Sequence, residues 1–422
     1  MTKYLLLILL FLSNLINATS KEEISNRIKN IISSLPAGTK TGILIYNPLV
    51  EDTIFAFNSR VQMVPASLTK LFTTATSLSL MKGDYKLTTK FFSEDNNIKD
   101  GIINSNLYIK GFGNSIYTES DMQEMIEFLK NKGIKKIDGD VIGDDTFFDN
   151  IYTREDWIED EKPNVKLPPI SALVLDRNKT TVKRKIRSRY RYITETFKDP
   201  PLSIAGKLKS NLISSGIDVS GTAKKGKTPV KVFDLANNGI ALNELIAMIN
   251  KHSDNFLAEC LFKTLGAAAS GLQGNSYYSQ QAIQKFLKEN NIYAEGTEVV
   301  DGSGISRFDQ VTPLAINGVL EKMYFDLANF EDFYNSLSVA GVDGTLKGRM
   351  VGTPAENNFR GKTGSLNGVS GLAGYLTDND DDDLIITIMF EFNKGSWRYY
   401  RNVQDQIVGL LAKWKNENSD QK

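Results

Sequence analysis

The stretch PASLTK at residues 65–70 places a serine, Ser67, three positions before a lysine, Lys70. Apolar residues follow at helical intervals, which predicts a helix over residues 67–80. Residues three apart share one face of a helix, so the Lys70 amine is expected within hydrogen-bond reach of the Ser67 hydroxyl. An amine whose surroundings lower its proton affinity can act as a base toward such a hydroxyl. The same spacing fits a capping serine beside a solvated lysine, so this pair alone does not decide between catalysis and capping.

Two further short motifs follow along the chain. Residues 253–255 read Ser-Asp-Asn between helical patterns at residues 242–251 and 255–265, and residues 362–364 read Lys-Thr-Gly before two apolar strands. A hydroxyl and an amide two positions apart can face one cavity, although Ser, Asp and Asn are also common helix caps. Lys-Thr-Gly at a strand edge is expected to point two side chains into a cleft, with the glycine leaving room for the backbone of a ligand.

The composition excludes several kinds of chemistry. The 422-residue chain carries 50 basic and 50 acidic residues, but only one histidine, His252, and one cysteine, Cys260. These counts exclude a zinc site closed by several His or Cys ligands and a disulfide within the chain. A Ser-His-Asp hydrolase could be built only on His252, so we expect another side chain to carry the proton in any hydrolase. The balanced charge argues against a nucleic-acid-binding protein, and we expect neither a metal nor a cofactor.

The first 18 residues match an export signal. A positive start at Lys3 and an apolar run over residues 4–12 precede Ala18, the small residue expected at a cleavage site. A retained anchor is the alternative, but the apolar span is shorter than the roughly 20 residues that cross a bilayer. We therefore expect a mature chain that begins at Thr19, is exported to the periplasm and has no integral membrane span.

Strand and helix patterns divide the mature chain into three segments. Residues 19–84 and 236–422 alternate helices with a few apolar strands, the last two joined by an acidic turn at residues 378–383. Residues 85–235 contain short strands rich in Lys, Asp and Asn, with one predicted helix at residues 119–131. These patterns predict an α+β fold in which residues 85–235 form a large, mostly-β insertion between the two halves of the main domain.

Together and in this order, the three motifs are those of class A β-lactamases and penicillin-binding proteins. The long separation of Ser67 from Ser253 leaves room for an insertion that class A β-lactamases lack. Further matching stretches are LYIKGFG at residues 107–113, GDVIGDD at 139–145, SDNFLAE at 253–259, DGSGISR at 301–307, GTLKGR at 344–349 and GKTGS at 361–365. Over most of its mature length the chain resembles the class C low-molecular-mass penicillin-binding proteins, D-alanyl-D-alanine carboxypeptidase/endopeptidases of the DacB type. It departs from them at residues 113–115, which read Gly-Asn-Ser in place of Gly-Asp-Pro.

The resemblance implies a penicillin-binding transpeptidase or β-lactamase-like fold, with helices covering an antiparallel sheet. It implies that Ser67 is the acylating nucleophile, that Lys70 is its base, and that Ser253 with Lys362 passes the proton to the leaving amine. The residues it implies for substrate binding are Asn255, Thr363, Gly364 and Ser365, and the backbone N–H groups of Ser67 and Ser365 would form the oxyanion hole. The implied activity is that of a serine-type D-Ala-D-Ala carboxypeptidase, and also an endopeptidase, on peptidoglycan stem peptides, covalently inhibited by β-lactams.

Two rival functions stay open at this point: a β-lactamase, and a catalytically idle cell-wall binding protein on the same scaffold. Other features receive structural interpretations. His252 is interpreted as non-catalytic, Cys260 as a small core residue, and residues 301–304 as a tight turn near the cleft. Residues 183–192 hold six basic side chains in ten positions. They predict a solvated strand, with contact to an anionic surface as the alternative hypothesis.

Overall fold

The computed structural model describes residues 19–95, 98–157, 167–187 and 189–415. The predicted export signal at residues 1–18 lies outside the described residues. Within the described residues, no helix is both long and apolar enough to cross a membrane.

The described residues form ten α-helices and sixteen β-strands. The helices are α1 (Lys21–Ser33), α2 (Thr69–Met81), α3 (Glu119–Asn131), α4 (Pro200–Ser214), α5 (Leu242–His252), α6 (Asn255–Ser270), α7 (Ser276–Glu289), α8 (Pro313–Tyr324), α9 (Phe330–Ser336) and α10 (Trp397–Leu411). The strands are β1 (Lys40–Asn47), β2 (Asp52–Phe57), β3 (Lys86–Ser93), β4 (Ile102–Ile103), β5 (Leu107–Phe112), β6 (Lys136–Ile137), β7 (Val141–Asp144), β8 (Lys179–Ile186), β9 (Arg189–Thr196), β10 (Asp218–Val219), β11 (Ala223–Lys225), β12 (Phe233–Ala241), β13 (Ser338–Val339), β14 (Arg360–Leu366), β15 (Val369–Thr377) and β16 (Asp383–Glu391).

One antiparallel sheet joins the two ends of the chain, in the order β13-β14-β15-β16-β1-β2. Strand β1 pairs with β16, with Ile43 opposite Ile388. Strands β15 and β16 form the predicted hairpin, and the acidic turn at residues 378–383 connects them. The sheet therefore brings together the N-terminal and C-terminal segments that the sequence assigns to one α+β unit.

Apolar residues on both faces of this sheet hold helices against it. Successive side chains of a strand point to opposite faces, so Ile386 and Ile388 of β16 pack in a core with α1 and α10. Ile385 and Met389 of the same strand pack in a second core with the helices that carry the candidate site, α2, α5 and α6, and with α7 and α8. Because both faces are covered, β14 and the start of α2 meet inside a rigid frame.

The inserted residues contain more helix than the sequence predicts. They form a five-stranded sheet in the order β11-β7-β5-β3-β12, a three-stranded sheet β10-β6-β4 and a separate two-stranded hairpin β8-β9. Helices α3 and α4 share a core with the strands of the two larger sheets, and this core includes Met125 and Leu208. The insertion is mostly β, as predicted, but helix α4 was not predicted. This helix begins at Pro200 and Pro201, where Asp199 caps its first turn by accepting from the Leu202 N–H at 3.4 Å.

The predicted boundary at residue 236 falls inside strand β12. This strand pairs with β3 from Phe233 to Ala241, in the sheet of the inserted residues. The sheet pairings therefore place residues 236–241 with the insertion, while the division of the chain into domains stays a prediction. The turn at residues 113–115, where the sequence departs from the DacB-type pattern, contains a buried Asn114 whose side-chain amide donates to Asn238 Oδ1 at 2.9 Å.

Candidate active site

Ser67 lies in a short 3-10 turn, Ala66–Leu68, immediately before α2. The predicted helix over residues 67–80 therefore begins two residues later than expected, at Thr69. Ala66 takes φ +49°, in the left-handed region, so the right-handed α-helix cannot include it. The turn still leaves Ser67 at the N-terminal end of α2, where helix dipoles favour negative charge.

Lys70 is fully buried and its amine contacts three oxygen atoms. The Nζ atom lies 3.0 Å from Ser67 Oγ, 2.7 Å from Asn255 Oδ1 and 2.5 Å from the backbone oxygen of Ser303. An amide oxygen and a backbone carbonyl can only accept hydrogen bonds, whereas the Ser67 hydroxyl can donate as well. A neutral amine can thus donate to Asn255 and Ser303 and direct its lone pair at the Ser67 hydroxyl.

The surroundings of Lys70 bring its titration close to neutral pH. Burial lowers the pKa of Lys70 to about 8, although nearby carboxylates, chiefly Asp301 and then Glu259, oppose the shift. The pKa of Glu259 is itself raised to about 8 by burial and then by the charge of Asp301. Desolvation outweighs attraction at Lys70, so the amine is held near the proton affinity that a general base requires.

The Ser-Asp-Asn motif forms the junction between α5 and α6. Ser253 ends α5 in a left-handed conformation, φ +54°, and Asp254 caps α6 by accepting from the Leu257 N–H at 3.0 Å. Asn255, the first residue of α6, turns its Oδ1 to Lys70. The sequence left helix capping and facing the cavity as alternatives for this motif. The motif does both, because Asp254 caps a helix while the serine and asparagine side chains face the cavity.

The Lys-Thr-Gly motif lies on strand β14, which precedes the two strands predicted from the sequence. Lys362 is fully buried, and its Nζ donates to Ser253 Oγ at 2.8 Å and to the Thr363 carbonyl at 2.9 Å. Burial, and then the charge of Lys70, holds the pKa of Lys362 well below its ordinary value. The Thr363 hydroxyl lies 2.9 Å from that of Thr345. The site thus has two buried amines, each in contact with one serine hydroxyl.

The structure gives a different reason for glycine at position 364. A Cβ atom there would lie 2.5 Å from the carbonyl oxygen of Pro65, so the missing side chain makes room for the turn that carries Ser67. That Gly364 also leaves room for the backbone of a ligand stays a prediction. Ser365 follows on the same strand, half-buried, and its Oγ accepts from Arg401 at 3.3 Å.

Residues 301–304 form a tight turn, as expected, but this turn also touches Lys70. Asp301 accepts from three backbone N–H groups: Ser303 at 3.0 Å, Gly304 at 2.6 Å and Ser306 at 2.9 Å. The carboxylate of Glu259 accepts from the Gly302 N–H at 3.0 Å. These buried acceptors fix the orientation of the turn and aim the Ser303 carbonyl at the Lys70 amine.

Arg177, from the inserted residues, also reaches the site. Its guanidinium donates two hydrogen bonds to Asp254, at 2.7 and 2.8 Å, and lies 4.9 Å from the ring centroid of Phe256. Asp176, Arg177 and Asn178 all have positive φ, an unfavourable conformation for three successive non-glycine residues. Sequence reasoning missed Arg177, Thr345 and the Ser303 carbonyl; only the family-like stretches at residues 301–307 and 344–349 pointed toward the last two.

The lone cysteine matches its structural interpretation. Cys260 is a free, buried thiol in the helical core, and burial raises its pKa. His252 is exposed at the end of α5. Among the described residues, no group of three or more His, Cys, Asp or Glu side chains is placed to hold a metal ion.

Comparison with known proteins identifies the family. The model of the D-Ala-D-Ala carboxypeptidase 3 (S13) family matches residues 24–189 and 186–414, most of the chain. The chain belongs to this family. A D-alanyl-D-alanine carboxypeptidase from Actinomadura sp. (strain R39) is 25% identical to this S13 protein, over 89% of this chain and 82% of the relative.

Solved structures share the fold of this S13 protein. The crystal structure of penicillin binding protein 4 (dacB) from Haemophilus influenzae matches 92% of this chain and 99% of its own, with a TM-score of 0.79 and 21% identity. A second structure of that protein, complexed with a β-lactam, matches with a TM-score of 0.74 and 20% identity, over 90% of this chain and 99% of its own. The predicted resemblance and the α+β penicillin-binding fold are thereby confirmed.

Proposed function

We propose that this S13 protein is a serine-type D-Ala-D-Ala carboxypeptidase that acts on peptidoglycan stem peptides through an acyl-enzyme on Ser67. The observation that carries the proposal is the buried Lys70 amine, 3.0 Å from Ser67 Oγ, with a pKa lowered to about 8. The names of the relatives and the β-lactam in one solved neighbour support the same chemistry. A lysine whose pKa lies near neutral pH supplies a base in direct contact with the serine, a role that the exposed His252 does not fill.

In the proposed acylation step, neutral Lys70 takes the proton of the Ser67 hydroxyl. The Ser67 oxygen forms a bond to the carbonyl carbon of the penultimate D-alanine, and the carbonyl oxygen becomes an oxyanion. Backbone N–H groups of Ser67 and Ser365 are proposed to bind that oxyanion, because preorganised donors stabilise the charge that develops there. The side-chain amide N–H of Asn255 is left to bind the substrate, since its oxygen already accepts from Lys70.

Collapse of the tetrahedral intermediate requires a proton for the departing amine. Ser253 is proposed to donate it, because its Oγ lies 2.8 Å from the Nζ of Lys362, which can replace the proton that the hydroxyl gives up. The C–N bond breaks, terminal D-alanine leaves, and an ester remains on Ser67. Water then attacks the ester, and the bond between the carbonyl carbon and the Ser67 oxygen breaks. Lys70 returns its proton to the Ser67 oxygen, a proton of the water passes through Ser253 to replace the one that Lys362 gave up, and the shortened peptide leaves.

The terminal carboxylate of the substrate is proposed to bind at Thr363, beside Lys362. The pKa of Lys362 is held low by burial and by the charge of Lys70. An incoming carboxylate adds a negative charge next to the Lys362 amine and favours its protonated form. Substrate binding would therefore prepare Lys362 to supply the proton that Ser253 transfers. A β-lactam, which mimics the D-Ala-D-Ala end, is proposed to acylate Ser67 in the same way and to leave slowly.

Release of D-alanine from a peptide that ends in D-Ala-D-Ala tests the proposed activity. We expect release by the native protein and none above background by Ser67→Ala, because the variant lacks the nucleophile. Ser253→Ala should lose turnover while keeping the ability to bind the peptide. Release by Ser67→Ala at the native rate would contradict the mechanism.

Labelled penicillin separates the rival functions. A carboxypeptidase should keep the label on Ser67 for longer than one catalytic turnover, whereas a β-lactamase should lose it rapidly. A catalytically idle cell-wall binding protein would neither take up the label nor release D-alanine. Loss of label within one turnover of the peptide reaction would overturn the carboxypeptidase proposal in favour of a β-lactamase.

Digestion of purified cell wall tests the wider proposal that the protein also opens cross-links. Products that lack only the terminal D-alanine indicate carboxypeptidase activity, and separated stem peptides indicate endopeptidase activity.

Mass determination of the N-terminus of the exported chain should give Thr19 if the signal at residues 1–18 is cleaved as predicted. An unprocessed N-terminus on the exported chain would contradict cleavage after Ala18 and favour the retained anchor.

A further inference from the structure

The hairpin formed by β8 and β9 stands apart from the rest of the molecule. Its strands pair with each other from Lys179 opposite Thr196 to Ile186 opposite Arg189, and they join no other sheet of the described chain. Both faces of the hairpin are exposed along residues 183–187 and 189–192. Ser188 lies outside the described residues. An isolated two-stranded hairpin buries little apolar surface and is marginal by itself, so this one depends on its base for support.

The base of the hairpin is firmly held. Asn178 is fully buried; its amide donates to the Pro169 carbonyl at 2.9 Å, and its own carbonyl accepts from the Phe197 N–H at 3.0 Å. The preceding residue, Arg177, makes the two hydrogen bonds to Asp254 at the candidate active site. The hairpin is therefore attached beside the active site and exposed at its far end.

The charge of the hairpin is strongly one-sided. Residues 179–196 carry a single acidic residue, Glu195, in a chain whose net charge is zero. The basic residues of the same segment are Lys179, Lys183, Arg184, Lys185, Arg187, Arg189 and Arg191. Glu195 pairs with Arg184 at 2.5 Å. Most of the positive charge therefore has no acidic partner within the hairpin and is free to attract an anionic surface.

Exposed aromatic side chains accompany this charge. Tyr190 and Tyr192 are 64% and 75% exposed and lie on one face of β9, opposite Lys185 and Lys183. Ile186, at the end of β8, is 41% exposed. A soluble polyanion would be bound by the basic groups alone. Amphipathic tyrosines, together with an apolar residue at the tip, fit the headgroup region of a lipid bilayer, where one end of the ring is apolar and the other is hydrated.

We propose that the β8–β9 hairpin is a docking element for the surface of an anionic lipid bilayer. Lysine and arginine would bind the anionic headgroups, and Tyr190, Tyr192 and Ile186 would enter the interface. Tyr192 lies four residues from Thr196 at the base of the hairpin, about 13 Å along the strand. Because Arg177 attaches that base to the active site, docking would hold the site at about this distance from the membrane.

Co-sedimentation with lipid vesicles tests the proposal on the chain from Thr19 onward. The probes are vesicles of phosphatidylcholine with and without phosphatidylglycerol. We expect binding only when the anionic lipid is present, and weaker binding as salt is added. In the triple variant Lys185→Gln, Arg189→Gln, Arg191→Gln, affinity should fall on the order of 100-fold, because each basic residue near the surface contributes about a factor of five.

A matched variant separates the effect of the hairpin on vesicle binding from the effect of net charge. Lys29→Gln, Lys231→Gln and Lys413→Gln remove the same charge from exposed positions elsewhere, and this triple variant should bind within about twofold of the native protein. Tyr190→Ser with Tyr192→Ser should weaken vesicle binding but leave its salt dependence. Unchanged thermal unfolding of all variants would show that the fold is intact.

Three outcomes would overturn the proposal. The first is equal binding to neutral and anionic vesicles, and the second is an equal loss of affinity in the two triple variants. The third is hairpin-dependent binding of soluble polyphosphate with no binding to vesicles, which would identify a polyanion as the partner. None of these readouts depends on catalysis, so Ser67→Ala should bind vesicles like the native protein even if the proposed activity is wrong.

Discussion

The buried lysines of the active site and the basic residues of the hairpin place similar groups in opposite surroundings. Lys70 and Lys362 are fully buried, and burial lowers the pKa of both. Lys185 and Arg191 are exposed on the hairpin, where a positive charge needs no desolvation. The difference teaches that burial makes a lysine a proton carrier, whereas exposure leaves it a fixed charge whose effect lies outside the molecule.

Only the active site, and not the hairpin, requires exact distances between its side chains. The Lys70 amine touches Ser67, Asn255 and Ser303, which come from three separate segments of the chain. A proton transfer requires hydrogen-bond distances between these atoms. Attraction between a charged hairpin and a surface acts over several ångströms and tolerates movement.

Substituting arginine for lysine in each region should give the largest difference in the rate of Ser67 acylation. Lys70→Arg keeps the positive charge but cannot give up its proton, so acylation of Ser67 by labelled penicillin should fall about 10²- to 10⁴-fold. Lys185→Arg keeps the charge at an exposed position and should acylate at the native rate. If Lys70→Arg acylates within a few-fold of the native protein, Lys70 is not the base.

The parts of the site that the sequence could predict are those carried by contiguous residues. The spacing of Ser67 and Lys70 predicted their contact. The cooperation of Ser253 with Lys362, which lie far apart in the chain, was implied only by the family resemblance. The contact of Ser303 with Lys70 was not predictable, because it uses a backbone carbonyl and depends on how a distant turn is oriented. Arg177 was missed for a similar reason: its partner, Asp254, lies far along the chain.

Fold prediction failed where local signals conflicted with tertiary structure. Helix α4 begins with two prolines, which usually mark a break but are tolerated in the first helical turn. Helix α2 was predicted to begin at Ser67, but Ser67 lies in a 3-10 turn that starts at the left-handed Ala66, and the helix begins after this turn. In that conformation Ala66 packs closely against Gly304, and no hydrophobic periodicity in the sequence predicts this contact.

Substitution at Gly304 tests whether the turn at residues 301–304 holds the buried lysine. A Cβ atom at Gly304 would lie 1.9 Å from the Ala66 carbonyl oxygen, and the residue has φ +81°. Gly304→Ala should therefore lower the free energy of unfolding by about 3 kcal/mol and slow acylation. The control is Gly271→Ala, where φ is +69° but nothing lies within 4 Å.

The two glycine variants separate crowding from backbone strain. Gly271→Ala carries only the strain of the left-handed conformation, about 1 kcal/mol, and should acylate at the native rate. Denaturant unfolding and labelled-penicillin kinetics measure the two effects. Equal losses of stability in both variants would show that the contact with the Ser67 turn has no special weight.

Two arginines test the connection between the hairpin and the site, with a smaller expected effect. Arg177→Ala removes the two hydrogen bonds to Asp254 and loosens the junction that carries Ser253 and Asn255, so acylation should fall about tenfold. Arg184→Ala breaks the exposed pair with Glu195 and should leave acylation unchanged. Native acylation by Arg177→Ala would mean that the site functions independently of the inserted residues.

The pH dependence of Ser67 acylation tests most directly the claim that burial makes Lys70 a base. The pKa of Lys70 is lowered to about 8, so its reactive neutral form is the minor one below that pH and the major one above it. The second-order rate with labelled penicillin should rise about tenfold per pH unit below about 8 and level off above it. A rate that stays constant from about pH 6 to 9, or that rises without a plateau toward the ordinary pKa of lysine, would contradict the account.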